Sequence, residues 1–159
     1  MGMDIYGRKP EHENGEYFRR NIWGWRPLHY ISQVAIDRYA LKYDTQGWGS
    51  NDGMGLKNKS QCHRLAKAIE KVMDEWWNYP EDSRIYLQLN CWVKEGGQFI
   101  DLAPYKEQIE ALDLPFGSIM ISGITMSDGV VLEPAYCTTV YSVKQWVQFL
   151  YACGGFKIY

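Results

Sequence analysis

A chain of 159 residues that is 46% apolar and 15% aromatic carries enough hydrophobic material for the core of one domain and needs no covalent staple. With 17 Lys and Arg against 19 Asp and Glu, the formal charge is -2 and no run of five basic residues occurs, so nonspecific binding to a phosphate backbone is disfavoured. The 4 cysteines form no Cys-x-x-Cys pair, the opening is unlike a signal peptide and no 18-residue apolar window exists. Zinc ribbons, thioredoxin-type chemistry and a membrane partner are therefore not expected, and the expected setting is a reducing cytoplasm with all four cysteines as free thiols.

Residues 3–6 read as a short first strand, closed by Gly7 and the polar run 8–15. Residues 15–30 then hold the densest mixture of aromatic and guanidinium groups in the chain. As extended backbone, this stretch places Tyr17, Arg19, Asn21, Trp23 and Trp25 on one face, with Phe18, Arg20, Ile22 and Gly24 on the other. Pro27 disfavours the helical region at Arg26 and suits the first turn of a helix, so the predicted corner has a strand ending at Arg26 and a helix after it. Leu28, Ile31, Ala35 and Tyr39 share one face of that helix, although Arg38 and Lys42 fall close to it.

Four glycines interleaved with Trp48, Ser50, Asn51 and Asp52 mark a loop over residues 44–59. The clearest helix follows at 58–78, with Cys62, Leu65, Ala66, Ile69, Val72, Met73, Trp76 and Trp77 on one side and Asn58 and Gln61 offering a capping box. After Pro80, residues 85–93 alternate as a strand with one buried face, and Gly96-Gly97 turns the chain so that 98–102 pairs back. A short helix is expected at 105–112. Residues 118–126, apolar on both faces, read as a central strand, and 136–141 as another. Ser142 and Gln145 open a mostly buried last helix, Gly154-Gly155 ends it, and 156–159 forms the final strand. The expected fold is a single α+β domain over residues 1–159, with a mixed or antiparallel sheet packed by two to three helices.

The opening Gly2-Met3-Asp4-Ile5-Tyr6-Gly7, the run from Tyr17-Phe18-Arg19 to Trp25-Arg26-Pro27-Leu28, the loop Asn51-Asp52-Gly53-Met54-Gly55-Leu56 and the closing Gly154-Gly155-Phe156-Lys157-Ile158 resemble landmarks of an uncharacterised family of small bacterial and phage proteins. The resemblance covers the two ends and the central loop. It brings no catalytic residue with it and implies a bacterial or mobile-element origin.

Residue patterns for common chemistries are missing. The glycine-rich loop lacks the Gly-Lys-Ser/Thr of a phosphate cradle, and an EF-hand frame started at Ser50 finishes on Gln61 without its carboxylate. His12, His29 and His63 are scattered and read as lone surface histidines, so no metal and no cofactor is expected. Two constellations remain. One is the face of Tyr17, Arg19, Asn21, Trp23 and Trp25, closed by Arg26, with Asp4 and Tyr6 beside it on a paired strand; Trp and Arg together offer stacking and forked hydrogen-bond donors. Its purely structural alternative buries the tryptophans and pairs the arginines with Asp4 or Glu16. The other is the Asn51-Asp52 loop feeding a helix N-terminus, which simple turn chemistry explains as well.

Two functions follow as expectations. The first is an interaction protein docking on a protein partner, such as a host or defence protein met by a phage factor. The second is a receptor or enzyme for a small anionic or nucleotide-like ligand, gathering Asp4, Arg19, Asn21 and Asp52 into one pocket. A flat aromatic patch favours the first, and a cleft with a convergent carboxylate and guanidinium favours the second.

Overall fold

Alternation organises the beginning of the chain. In a computed structural model, which describes residues 2–87, 91–114, 119–120 and 122–159, Met3 and Ile5 of strand β1 (Gly2–Gly7) point inward while Asp4 and Tyr6 stay at the surface. After a 3-10 turn at Glu13–Gly15, strand β2 (Tyr17–Asn21) pairs antiparallel with β1 in the register Asp4 to Arg19 and Tyr6 to Tyr17. Helix α1 (Ile22–Arg38) follows without a break, and helix α2 (Lys59–Val72) comes after the glycine-rich loop.

The middle of the chain is made of short pieces: β3 (Arg84–Leu87), β4 (Trp92–Lys94), a 3-10 turn at Ala103–Tyr105, α3 (Lys106–Ala111), β5 (Ile119–Met120), β6 (Ile124–Thr125), β7 (Val131–Pro134) and β8 (Cys137–Thr139). Helix α4 (Val140–Ala152) and strand β9 (Phe156–Ile158) complete the fold. Among the described residues the strands form three small sheets, ordered β2-β1-β9, β5-β3-β8 and β4-β7-β6, and every pairing is antiparallel. The class is α+β, as expected, but the strands are divided among three sheets.

Several boundaries differ from those expected. Asn21 is the N-cap of α1, its side-chain oxygen accepting from the Gly24 amide at 2.8 Å, so the strand stops before Trp23 and the helix starts upstream of Pro27. Pro27 lies inside the helix and only withholds the amide that the Trp23 carbonyl would otherwise receive. The expected strand 85–93 divides into β3 and β4, which belong to different sheets, and residues 88–90 lie outside the described residues. The expected central strand 118–126 likewise divides into β5 and β6, with residues 118 and 121 outside the description. The return strand 98–102 is reduced to a single bridge between Lys94 and Gln98. Helix α2 stops at Val72 and passes into turns, with the Trp76 amide on the Met73 carbonyl at 2.9 Å. Its cap is the expected Asn58, which accepts from the Gln61 amide at 3.0 Å, whereas α4 is capped by Thr139 in place of Ser142.

Three tryptophans build the main core. Trp25, Trp48 and Trp146 are fully buried; the Trp25 indole donates to the Trp48 carbonyl at 2.7 Å and the Trp146 indole to the Ser32 hydroxyl at 3.0 Å. Helices α1, α2 and α4 pack around them, with Leu65, Ile69 and Val72 on the buried face of α2. Cys62 and Cys153, far apart in the chain, lie together here as buried free thiols with sulfurs 3.6 Å apart.

The sheet β2-β1-β9 closes one side of this core. The ends of the chain meet on it: the Asp4 amide donates to the Tyr159 carbonyl at 2.9 Å and the Tyr159 amide to the Asp4 carbonyl at 2.6 Å. The loop past Asp52 lies along the other edge of β9, through the bonds of the Phe156 amide to Leu56 at 2.8 Å and of the Ile158 amide to Met54 at 2.9 Å. A Cβ at Gly55 would sit 2.1 Å from the Phe156 carbonyl oxygen, so this approach of two backbones admits only glycine.

A second, smaller core holds Trp92, Tyr105, Met126 and Leu132, with half-buried Ile100, Leu102, Ile109 and Ile124 around it. No helix among the described residues is long and apolar enough to cross a membrane.

Candidate functional site

Starting the helix at Ile22 splits the face that an extended reading would have kept together. Tyr17, Arg19 and Asn21 remain on the outer side of β2, but Trp25 now falls on the inner side of α1 and is fully buried. Trp23 and Arg26, one helical turn apart, are exposed on the outer side of α1 and meet Tyr136. The aromatic and guanidinium stretch thus feeds two surfaces and a core.

The first surface is the outer face of the β2-β1-β9 sheet. Tyr6 and Tyr17 are cross-strand neighbours with ring centroids 5.1 Å apart, and Tyr159 meets Tyr6 edge-on at 6.0 Å. All three are close to half exposed, at 47%, 45% and 48%. The Tyr17 hydroxyl donates to the Asp4 carboxylate, and this bond raises the Tyr17 pKa above its ordinary value. Arg19 Nε lies 3.5 Å from the same carboxylate, an exposed pair of small energetic weight that nonetheless orients the guanidinium. Asn51 donates to the Gly2 carbonyl at 3.1 Å, and Asp52 accepts from the Met54 amide at 3.4 Å as an Asx turn does. Asp4 and Arg19 are brought together, while Asn21 is occupied as a helix cap and Asp52 holds its own loop. The carboxylate and guanidinium converge on a sheet surface rather than in the pocket expected of Asp4, Arg19, Asn21 and Asp52.

The second surface lies across α1. Trp23, 59% exposed, stacks on Tyr136 with centroids 5.4 Å apart and planes 24° apart. Arg26 donates to the Tyr136 hydroxyl and sets its guanidinium 5.5 Å from the centre of the Tyr136 ring. Beside this group opens a cleft of about 500 Å³ lined by Arg26, His29, Tyr30, Gln33, Cys91 and Tyr136. His29 stacks on Trp25 at 6.1 Å and meets Trp48 at a tilt at 5.9 Å, and burial lowers its pKa. The Gln33 amide is already occupied, accepting from Thr45 and donating to Asp37 at 3.3 Å.

Sequence reasoning did not find Tyr159, Tyr136, His29 or Cys91. Tyr159 was legible in principle, because pairing of the last strand with β1 sets it beside the exposed Tyr6. Tyr136 carries no local signal; only the tertiary approach of the segment before β8 to α1 brings it to Trp23 and Arg26. Among the described residues no group of three or more His, Cys, Asp or Glu side chains could hold a metal ion. Comparison with protein-family models, with curated proteins and with solved structures finds no match, so the likeness of the two ends and the central loop to a bacterial and phage family rests on those residues alone.

Proposed function

We propose that the chain is a protein-binding module that docks a partner protein through the outer face of the β2-β1-β9 sheet. The observation carrying this reading is the contiguous exposure of Tyr6, Tyr17 and Tyr159 beside the Asp4–Arg19 pair. Tyrosine and arginine are the residues on which interface energy concentrates, because each covers a large area and still satisfies polar groups. Here they are carried on paired strands, and Tyr17 is already tethered to Asp4, so little side-chain freedom is lost on docking. Docking through this face needs no catalytic group, and a shallow cleft beside Tyr17 and Arg19, reaching Gln145 and Gln148 of α4, offers a partner side chain a place to enter.

The test begins with capture from bacterial extract by wild type and by the Tyr6→Ala/Tyr17→Ala double variant, followed by calorimetry on the purified partner. The double variant should bind at least tenfold more weakly, about 1.4 kcal/mol, while its folding stability changes by less than about 1 kcal/mol. Arg19→Ala should weaken binding in the same direction. Asn21→Ala is expected to act on stability instead, because its side chain caps α1. Equal affinity of wild type and double variant for every captured partner would remove the sheet face from consideration.

A further inference from the structure

The cleft across α1 has a composition unlike that of the sheet patch. Its walls are the rings of Tyr30, Tyr136 and His29, with Trp23 stacked on the outer side of Tyr136. Its volume of about 500 Å³ falls in the range of small-molecule sites, roughly 300–1,000 Å³. A guanidinium stands at its rim, and among the described residues no carboxylate pairs with it: the two ion pairs are Arg19 with Asp4 and Lys59 with Glu11. The bond from Arg26 to the Tyr136 hydroxyl uses one of five N–H donors and, among the described residues, brings no negative charge to the guanidinium.

We infer that this cleft is a binding site for a small planar aromatic anion, whose ring lies against the Tyr136 and Tyr30 side chains and whose carboxylate or phosphate is received by Arg26. Two features set the preference. Aromatic walls favour a flat ring over an aliphatic chain of equal volume, through stacking and edge contacts. A fixed guanidinium favours a planar carboxylate or phosphate, which accepts two parallel N–H bonds, over a neutral amide. His29, beside the Trp25 and Trp48 rings and with its pKa lowered by burial, adds a polar ring to the cleft wall. Gln33, engaged with Asp37 and Thr45, contributes wall rather than recognition.

Carboxylate and phosphate sources are separated by two ligand pairs, indole-3-acetate with indole-3-acetamide, and uridine 5′-monophosphate with uridine. Each is titrated up to millimolar concentration into the 15N-labelled full chain, following the Trp23 indole signal and the amides of residues 26–33. At least one anion should shift these signals and bind about tenfold more tightly than its neutral counterpart, and Arg26→Gln should abolish that difference. The member of the panel that binds identifies the anionic group. Amide signals of α2 report whether Arg26→Gln is folded; if it is not, the ratio between anion and neutral ligand in wild type decides alone. Absence of any shift around α1, equal binding of both members of each pair, or a preference retained by folded Arg26→Gln would overturn the assignment.

Discussion

The two cores are built on different principles. In the large one, Trp146 meets Trp25 edge-on at 5.1 Å, stacks on Phe149 at 5.6 Å and touches Phe156 at 5.5 Å, and the indole nitrogens of Trp25 and Trp146 are both satisfied. Three helices of 17, 14 and 13 residues hold these rings in place. In the small core, Trp92, Tyr105, Met126 and Leu132 are gathered by strands of two to four residues and by one six-residue helix. Most of the apolar side chains around them are only half covered. Long helices turn local periodicity into burial, whereas short strands need partners from distant parts of the chain. The difference implies that the small core opens at lower free energy than the large one.

The largest test of this contrast is Trp146→Ala, which should cost about 3–5 kcal/mol in urea melts and weaken every probe of the large core together. A loss below about 1 kcal/mol would show that the packed rings around Trp146 are dispensable and would cancel the contrast from that side.

Leu132→Ala comes next, at about 2–3 kcal/mol, with its effect confined to the small core. Hydrogen exchange should accelerate for amides in residues 92–112 and 124–134 while those of α2 and α4 keep their protection. Uniform acceleration across the chain would mean that the two cores unfold as one cooperative unit, and the distinction drawn from packing would carry no energetic meaning.

The smallest effect concerns pH at the edge of the large core, where His29 packs on Trp25 and Trp48. Burial holds the His29 pKa below its ordinary value, so the unfolded chain takes up this proton first as pH falls. Stability should therefore decline as pH drops through about 6.5, the ordinary histidine value, and continue to decline until the lower folded-state pKa is passed. His29→Gln should flatten this part of the profile relative to wild type. A profile unchanged by the substitution would place the acid sensitivity elsewhere.

How much the sequence disclosed follows the same division. The buried face of α2 was legible because Leu65, Ile69 and Val72 repeat at helical spacing, and its start was marked by Asn58. The paired first strand was legible from the alternation of Met3 and Ile5 with Asp4 and Tyr6. The corner at residues 21–27 departs from expectation because Pro27, suited to a first turn, lies inside the helix, while Asn21 supplies the stronger start signal upstream. The strands of the small core were hidden for another reason: two or three residues have no period to detect, and their pairing is decided by contacts the local sequence does not encode. The candidate surfaces share that limit. Tyr17 and Arg19 could be proposed from one strand, but the cleft depends on Tyr136 and Cys91 arriving at α1 from more than fifty residues away in the chain, counting from Gln33 to Cys91.

The meeting of Asp4 with Tyr159 gives the chain a nearly circular path. A short glycine bridge from Tyr159 back to Gly2 would close it, and a new opening at Gly96-Gly97, where an added Cβ at either position meets no atom within 4 Å, would leave the main core uncut. Such a permutant changes the direction from which the protein can be held. A tether on Tyr159 leaves from the edge of the three tyrosines and stands in the way of anything that approaches them. One placed at residues 96–97 leaves from the turn after β4, which belongs to a different sheet, so the choice of attachment point decides which surface a binding measurement samples.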